Sequence, residues 1–214
     1  MIQAVLFDLD GVIVDTMHYH YMAWQHMFAN LGATVRKHTV LLHEGRSSRE
    51  MLPILMKESG AQIPESHQGR FIEEKRAYYR AIVRVVQYPE AFTVIDELKN
   101  RGFKVALVTG SARENMQHAL DLREQAHFDF IVTGDEVNRA KPFPDSFVFA
   151  ARRLGIRPEE CLAVENAPLG IEAAKKACMY CVAIQTTLPQ EYLTSADRIL
   201  QNIGELMHLD ILKQ

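Results

Sequence analysis

Short apolar runs alternate along most of the chain with longer stretches in which apolar residues recur every three or four positions. The runs lack polar alternation, which is typical of strands covered on both faces, as in a parallel sheet. They predict six strands, at residues 3–8, 104–109, 128–133, 161–165, 180–184 and 196–200. The amphipathic stretches predict helices at 90–101, 113–122, 145–154, 169–178 and 203–209. This alternation predicts an α/β fold built as a doubly wound parallel sheet.

Residues 16–87 interrupt the alternation, because no run in them has the character of a strand. Helices are predicted there at 16–31, 48–59 and 65–83. We call this all-helical insert the cap, and the remainder, residues 1–15 and 88–214, the core. Ligands of open α/β sheets bind outside the carboxyl ends of the strands, and the cap directly follows the first strand. The sequence therefore predicts a lid over the ligand crevice, with hinges near 15–17 and 84–88.

Composition and charge narrow the class of protein. Hydrophobic residues make up 48% of the 214 positions and charged residues 24%, as in ordinary globular proteins. The net charge is −3 and basic residues are scattered, so we expect no nucleic-acid partner. The apolar N-terminus lacks a basic flank and is interrupted by Asp8 and Asp10, which predicts neither a signal peptide nor a membrane span. We expect a monomer that binds no membrane.

The chain has three cysteines, at positions 161, 178 and 181. An odd, low count predicts a reducing, cytoplasmic location. Cys178 and Cys181 have the C-x-x-C spacing of redox and metal-binding pairs. No second pair lies nearby, and a tetrahedral zinc site normally needs four ligands, so we favour a structural role where a helix runs into a strand.

The first predicted strand ends in two carboxylates, within the segment FDLDGVIVD at residues 7–15. Asp8 and Asp10 are two positions apart, so along extended chain their side chains point the same way. Repulsion between the two favours a bound cation, and oxygen ligands favour Mg²⁺. A pair of solvated acids at a strand end is the structural alternative.

Polar groups also follow three later predicted strands. They are Thr109, Gly110 and Ser111 after the second, Lys141 in the segment AKPFPD, and Glu165 with Asn166 after CLAVE. Hydroxyl and N–H groups before a helix suit a phosphate, although Ser111 is equally typical of a helix N-cap. An ammonium such as that of Lys141 can offset charge between a carboxylate and a phosphate. Together with the Asp pair, these groups predict one phosphate and metal site at the carboxyl edge of the sheet.

The order and spacing of these motifs resemble the haloacid dehalogenase superfamily, specifically its β-phosphoglucomutase-like branch with a helical cap. The matching segments are D-x-D-G-V-x-x-D at 8–15, the threonine at 109, K-P-x-P-D at 141–145 and the pair at 165–166. The resemblance implies that Asp8 is the nucleophile and Asp10 the general acid and base. It also implies that Thr109 and Lys141 hold the transferring phosphoryl group. Mg²⁺ would be bound by Asp8, the backbone carbonyl of Asp10 and the second residue of the pair, Asn166. Glu165 is a further candidate ligand.

The chain departs from the family pattern at its last motif, where Glu-Asp is usual and Asn166 follows Glu165. A neutral amide oxygen then replaces one negative ligand. Glu44, in the cap segment HEGRSS, is a candidate replacement ligand. The β-phosphoglucomutases carry a basic residue near this position, whereas Glu44 with Asn166 is similar to a group that includes inorganic pyrophosphatases. A solvated loop acid is the structural alternative for Glu44.

Several cap residues are candidates for substrate contacts. His20 and Trp24 lie one helical turn apart on the first cap helix, where the similarity to mutases is close. They are predicted to line the crevice, or alternatively to pack in the cap core, with His20 at its edge. Candidates for contact with a second phosphate are Arg46, Arg49, Lys75 and Arg80, for which solvated surface positions are the alternative.

These features predict a Mg²⁺-dependent phosphohydrolase that acts through an aspartyl-phosphate on a small phosphorylated metabolite or inorganic pyrophosphate. A phosphomutase, β-phosphoglucomutase in particular, would share all the core residues and is the second interpretation. A non-catalytic binding protein that kept the fold is the third. Cap contacts decide specificity, and the fold alone does not imply the substrate.

Overall fold

A computed structural model describes residues 1–213, in which one six-stranded sheet forms the centre of the core. Its strands are β1 Ala4–Phe7, β2 Lys104–Val108, β3 Phe130–Val132, β4 Cys161–Glu165, β5 Tyr180–Ile184 and β6 Arg198–Leu200. All neighbours are parallel, in the order β3-β2-β1-β4-β5-β6. The chain winds outward from β1 in both directions, which confirms the predicted doubly wound sheet.

Helices occupy the cap and flank the sheet. The cap contains α1 Met17–Ala29, α2 Lys37–Leu42, α3 Ser48–Ser59 and α4 Glu65–Ile82. The core contains α5 Ala91–Asn100, α6 Arg113–Ala119, α7 Leu122–Gln125, α8 Asp145–Leu154 and α9 Pro168–Lys176. None of the helices within residues 1–213 combines the length and the apolar character that crossing a bilayer requires.

Both faces of the sheet are buried, which explains why its strands show no polar alternation. Within β1, Val5 and Phe7 belong to the apolar cluster on one face, and Ala4 and Leu6 to the cluster on the other. Helices α5 and α6 contribute to the first cluster, and α8 and α9 to the second. This two-sided cover holds the carboxyl ends of the strands at one rigid edge.

Two predicted core helices differ from the structure. The helix predicted at 113–122 ends at Ala119, and α7 starts anew after Asp121. The Asp121 carboxylate accepts from the N–H of Glu124, while the Glu124 carboxylate accepts from the N–H of Asp121, which caps a new helix. The helix predicted at 203–209 is a 3₁₀ helix at Ile203–His208, in which hydrogen bonds join residues three apart.

The cap has one helix more than the sequence predicted. The additional helix, α2, is only six residues long and buries Val40 and Leu41. Such a short segment presents too few turns for an apolar periodicity to be recognised. The other three cap helices pack around an apolar cluster that includes Trp24, Phe28 and Leu52.

The two crossings between core and cap run side by side. Val14 and Gln87 form an antiparallel bridge. On either side of it, the N–H of Asp15 donates to the carbonyl of Val86 at 2.8 Å, and the N–H of Tyr88 to that of Ile13 at 2.9 Å. The cap is therefore attached through one paired segment, next to the carboxyl end of β1.

Candidate active site

The polar side chains of the four motifs lie together at the carboxyl edge of the sheet. They are Asp8 and Asp10 after β1, Thr109 after β2, Lys141 between β3 and α8, and Glu165 with Asn166 at the end of β4. All six are buried. Because parallel strands end at the same edge, motifs that are more than a hundred residues apart in sequence converge on one place.

Lys141 lies between two carboxylates. Its Nζ donates to Asp8 Oδ1 and to Glu165 Oε1, both at 2.5 Å, and to the carbonyl of Val108 at 3.1 Å. Burial alone would lower the pKa of Lys141, but Asp8 and Glu165 raise it above its ordinary value. Burial raises the pKa of Asp8 to about 8, an effect that Lys141 only partly offsets. The arrangement holds a charged ammonium against the oxygen of Asp8.

Asp10 is held by hydroxyl groups on both of its oxygens. Thr16 Oγ1 donates to Oδ1 at 2.5 Å and Ser111 Oγ to Oδ2 at 2.8 Å, while His20 Nε2 lies 3.4 Å from Oδ1. Burial would raise the pKa of Asp10, but these neighbours together lower it to about 2. Asp10 is therefore ionised and fixed in orientation.

The segment after β2 passes beneath the cap. The backbone N–H of Ser111 donates to Thr109 Oγ1 at 3.0 Å, so the loop is folded back on itself. A Cβ atom at Gly110 would lie 2.6 Å from the carbonyl oxygen of Gly45 in the cap. Only glycine permits this approach of the cap loop to the core.

Glu44 reaches from the cap into the core. Its Oε1 accepts from Asn166 Nδ2 at 2.9 Å, and the same Nδ2 lies 3.0 Å from Thr187 Oγ1. A Cβ atom at Gly11, whose φ is +84°, would lie 2.1 Å from Asn166 Nδ2. The turn after Asp10 therefore needs glycine both for its backbone conformation and for the space that Asn166 occupies.

The cluster fits a hard divalent cation. It brings together the carboxyl groups of Asp8, Asp10, Glu44 and Glu165, of which Asp8 and Glu165 contact the ammonium of Lys141, and burial together with the charge of Asp8 raises the pKa of Glu44. Glu44 Oε2 and Asn166 Oδ1 are sealed from solvent without a hydrogen-bond partner among residues 1–213. Such atoms each cost about 1–3 kcal/mol, a penalty that a cation would relieve.

The donor set would have to be mixed. In the part of the chain that the structure describes, no group of three or more His, Cys, Asp or Glu side chains is arranged to hold a metal alone. Glu165 is taken up by protein partners, since its Oε1 accepts from Lys141 and its Oε2 from the backbone N–H of Asn166 at 3.2 Å. Amide and backbone carbonyl oxygens are therefore needed to complete a metal shell here.

His20 and Trp24 both face the site, and Trp24 also packs in the cap core. His20 stacks on Tyr79 with ring centroids 4.0 Å apart, and its Nδ1 lies 3.1 Å from Lys75 Nζ. Lys75 Nζ is 5.0 Å from the centre of the Trp24 ring. Burial lowers the pKa of Lys75 to about 7. The two interpretations offered for Trp24 thus apply together.

A cavity of about 430 Å³ separates the cap from the carboxyl edge of the sheet. Asp8, Asp10 and Thr109 line its floor, and Trp24 and Arg49 are among the residues that line it from the cap. The volume is in the range of small-molecule sites. The hydroxyl of Thr109 and the guanidinium of Arg49 suit a compact ligand that is anionic at one end.

Sequence reasoning missed two residues of this region. Thr16 precedes α1, but its hydroxyl bonds Asp10 rather than capping the helix. The sequence did contain a signal for Thr16, namely a hydroxyl residue directly after the D-x-D-G-V-x-x-D segment. Asn115 lines the cavity from α6 and carried no motif. Asn115 reaches the cavity only because α6 lies beneath the cap, and no sequence pattern indicates that arrangement.

Comparison with protein families places the chain among known enzymes. A family model described as haloacid dehalogenase-like hydrolase matches residues 2–177. A phosphorylated carbohydrates phosphatase of Thermotoga maritima is 31% identical over 182 residues, which are 82% of this chain and 81% of that protein. The crystal structure of β-phosphoglucomutase from Clostridium difficile has a TM-score of 0.84 at 28% identity and covers 96% of this chain and 93% of its own.

A further relative is much longer than this chain. The chloroplastic protein SUPPRESSOR OF QUENCHING 1 of Arabidopsis thaliana is 31% identical over 217 residues, which cover 99% of this chain. The chain spans only 21% of the length of that protein. The similarity therefore concerns one part of a larger polypeptide.

Proposed function

Because the chain belongs to the haloacid dehalogenase-like hydrolases, a family with phosphatases and phosphomutases of phosphorylated sugars, we propose that it is a Mg²⁺-dependent phosphatase of a small phosphorylated sugar. The observation that carries the proposal is the buried pair of Asp8, held by Lys141, and Asp10, held by Thr16 and Ser111. One carboxylate faces an ammonium and the other is fixed by hydroxyl donors. Two acids in such different surroundings suit two different roles.

Asp8 is proposed as the nucleophile that takes the phosphoryl group from the substrate. Its oxygen attacks phosphorus, the bond to the leaving oxygen breaks, and an aspartyl-phosphate forms, which splits one difficult displacement into two easier ones. Lys141 and Thr109 would hold the oxygens of the transferring group. Glu165, bonded to Lys141, would keep the ammonium in place.

Asp10 is proposed as the acid and base of the two steps. It would give a proton to the leaving oxygen and later take one from the water that hydrolyses the aspartyl-phosphate. The low pKa of Asp10 in the free protein favours the base form. A phosphate that arrives beside it adds negative charge and raises that pKa, which favours the acid form for the first step.

The proposed ligands of Mg²⁺ are Asp8, the backbone carbonyl of Asp10, Asn166 and Glu44. The two sealed oxygens, Glu44 Oε2 and Asn166 Oδ1, support this set, and the protein partners of Glu165 argue against direct ligation by it. When bound, Mg²⁺ would neutralise negative charge on the transferring phosphoryl group. Glu44 comes from the cap, so the shell would be complete only with the cap in place.

The size of the cavity favours a sugar phosphate among the candidate substrates. A volume of about 430 Å³ would leave much space around pyrophosphate, whereas a phosphorylated monosaccharide would extend from Asp8 towards Trp24. Pyrophosphate is the second candidate, and the contact between Glu44 and Asn166 is the observation that favours it. Glu44 stands near the position at which the β-phosphoglucomutases carry a basic residue, which argues against the mutase reaction.

The location and assembly of the protein are also proposals. We propose a cytoplasmic monomer. Cys161, Cys178 and Cys181 are free thiols, as expected for a protein kept in a reducing compartment.

A substrate screen tests the proposed function. Purified protein with Mg²⁺ is offered hexose 6-phosphates, β-glucose 1-phosphate and pyrophosphate, and phosphate release and sugar interconversion are measured. We expect hydrolysis of at least one sugar phosphate, and loss of that activity in Asp8→Asn and in Asp10→Asn without loss of folding. Interconversion of glucose phosphates faster than any hydrolysis would favour the mutase instead, and activity above a few per cent in Asp8→Asn would exclude the aspartyl-phosphate.

A further inference from the structure

An arginine of the cap contacts the core beside the cavity. Arg80, near the end of α4, points its Nη1 at two residues of the first turn of α6. The distances are 3.2 Å to Asn115 Oδ1 and 3.0 Å to Glu114 Oε2. Glu114 is largely exposed, whereas Asn115 is buried and lines the cavity. The contact thus joins the two parts of the molecule at the edge of the site.

Arg80 fixes the orientation of the Asn115 amide. A guanidinium can only donate hydrogen bonds, so the amide atom that faces it must be the oxygen. The Nδ2 group of Asn115 then points away from Arg80. It has no acceptor among residues 1–213 and is not among the side-chain atoms that are sealed from solvent, so it is an accessible donor on a residue that lines the cavity.

The position of this N–H group relates it to the leaving group of the substrate. Ser111 precedes α6 and its Oγ bonds Asp10, and Asn115 lies in the first turn of the same helix. Asp10 is the residue proposed to protonate the leaving oxygen. Asn115 and Asp10 both line the cavity, so we expect the Asn115 donor to face the part of the substrate that departs.

The contact with Arg80 accounts for the oxygen of the Asn115 amide but not for its nitrogen. Asn is a poor helix former, and a buried amide that uses only its oxygen leaves its two N–H donors unpaired in the protein. A ligand oxygen would satisfy them. An unpaired N–H donor is satisfied by an acceptor on the ligand, such as the oxygen of a sugar hydroxyl.

Resting on the proposed function, we propose that Asn115 is a specificity-determining residue whose Nδ2 donates to an oxygen of the sugar leaving group. Arg80 is the positioning residue that turns the amide towards the cavity. Because Arg80 belongs to the cap, the amide is oriented only when the cap lies on the core. Recognition of the sugar is thereby linked to the position of the cap.

Substitution of Asn115 by aspartate separates the donor from the structural contact. Asn115→Asp keeps an oxygen for Arg80 but removes Nδ2, and Asn115→Ala removes the donor without adding charge. The readout is kcat/KM for the hexose phosphate that the wild type hydrolyses best, divided by kcat/KM for acetyl phosphate, whose small leaving group carries no hydroxyl. We expect this ratio to fall by about 10-fold in both variants, the loss expected when one hydrogen bond to the substrate is removed.

Two further variants test the role of Arg80. Arg80→Met should lower the same ratio, because the amide is then free to turn. Glu114→Gln is the matched control, since Glu114 also contacts Arg80 but lies outside the cavity, and its ratio should stay at the wild-type value. An unchanged ratio in Asn115→Asp and Asn115→Ala would overturn the proposal, as would an equal fall in Glu114→Gln.

A binding measurement separates this proposal from the proposed function. Glucose 6-phosphate and inorganic phosphate are titrated calorimetrically into Asp8→Asn protein, with and without Asn115→Ala. We expect Asn115→Ala to raise the Kd of glucose 6-phosphate about 5-fold or more relative to that of phosphate, even if no substrate were turned over. Equal changes for both ligands, or no binding of glucose 6-phosphate by Asp8→Asn, would overturn the role of Asn115.

Discussion

At the scale of single residues, the site depends on polar contacts between side chains, most of which come from distant parts of the chain. Asp8 is neutralised by Lys141, Asp10 is oriented by Thr16 and Ser111, and Glu44 contacts an amide of the core. Charge and shape can be changed separately at such positions. Substitutions that conserve size therefore test the proposed roles most directly.

Removal of the charge of Glu44 is expected to weaken Mg²⁺ binding. Glu44→Gln keeps an oxygen for Asn166 Nδ2 but loses the negative charge, and Glu44→Ala removes both. We expect the Mg²⁺ concentration for half-maximal activity to rise and turnover to fall about 10-fold in both variants, as on removal of supporting metal contacts. Calorimetric titration of Mg²⁺ provides a readout independent of turnover.

Asn166→Asp should partly restore Mg²⁺ binding in Glu44→Gln, because it returns a carboxylate to the same cluster. The exposed cap residue Glu65 provides the control, and Glu65→Gln should match the wild type. A Glu44→Ala protein with the wild-type Mg²⁺ dependence would assign Glu44 to the cap–core contact alone.

Lys75 is expected to make stability depend on pH. Burial lowers its pKa from 10.5 to about 7 in the folded protein. Between these values the unfolded chain binds more protons at this residue than the folded protein does, so the contribution of Lys75 to stability rises with pH through this range. Its destabilising effect is fully present below pH 7 and is lost above pH 10.5.

Lys75→Met, which keeps the length of the side chain and removes the charge, should therefore be more stable than the wild type at pH 6. The difference should shrink as pH rises towards 10.5. Urea unfolding at several pH values measures the free energies, and we expect a difference of about 1–3 kcal/mol at pH 6, since one pKa unit corresponds to about 1.4 kcal/mol and local relaxation reduces the full shift. A difference that is constant with pH would show that Lys75 titrates as an exposed lysine.

At the scale of elements, the strands and the longer helices could be predicted because their patterns have a direct physical cause. Both faces of β1 are covered, so its sequence is uniformly apolar, and α5 places Val94 and Leu98 on one buried side. The short helix α2 and the break before α7 could not be recognised by periodicity. The four motifs could be located at strand ends. The contact of Arg80 with Asn115 could not be predicted, because it depends on how the cap packs against the core, and no local sequence pattern indicates that packing.

Gly110 is expected to be required for the close contact between the core and the cap loop that contains Gly45. In Gly110→Ala, the new Cβ would lie 2.6 Å from the carbonyl oxygen of Gly45, so the backbone of one segment must shift. We expect turnover to fall by at least about 10-fold, since displacements near 1 Å can cost as much as 100-fold. The change in the free energy of unfolding should be far smaller than the free energy that corresponds to the loss of turnover.

Gly69→Ala is the matched control for Gly110→Ala. Gly69 lies within α4, exposed, with no atom within 4 Å of the added Cβ. Alanine there should stabilise the protein by about 0.5–1 kcal/mol and leave turnover unchanged. Urea unfolding and steady-state kinetics measure both variants, and full activity in Gly110→Ala would show that the cap loop has room to move.

At the scale of the whole molecule, polar side chains join the cap to the core. They include Thr16 and His20, which contact Asp10, Glu44, which contacts Asn166, and Arg80, which contacts α6. Beside them lies a small apolar cluster of Met17, Leu41 and Leu188. A contact of this kind can be broken and remade, as expected of a lid that admits substrate and excludes water.

Residues 16–87 are expected to rotate as one body when the active site is filled. Hinges near 15–17 and 84–88 would absorb the change, because both crossings lie there. Solution scattering with and without Mg²⁺ and a phosphate mimic should show a smaller radius of gyration with the mimic. In Gly110→Ala, whose cap loop is obstructed, the mimic should produce a smaller change in the radius of gyration. Identical scattering and identical crystal structures in the free and filled states would mean that the cap is fixed.

The pairing of the two crossings at Val14 and Gln87 makes the cap an exchangeable module. The insert leaves and re-enters the core at one point. The structure of the sheet therefore does not depend on the length or the fold of the insert. The entropy cost of the intervening loop grows only slowly, by about 0.6 kcal/mol for each doubling of its length. Over evolutionary time, bundles of other sizes can be gained, lost or exchanged at this junction while the sheet is inherited intact. Diversity of substrates can therefore accumulate in the part of the gene that encodes the cap, provided that each new insert supplies the contacts that Thr16 and Glu44 make with the core.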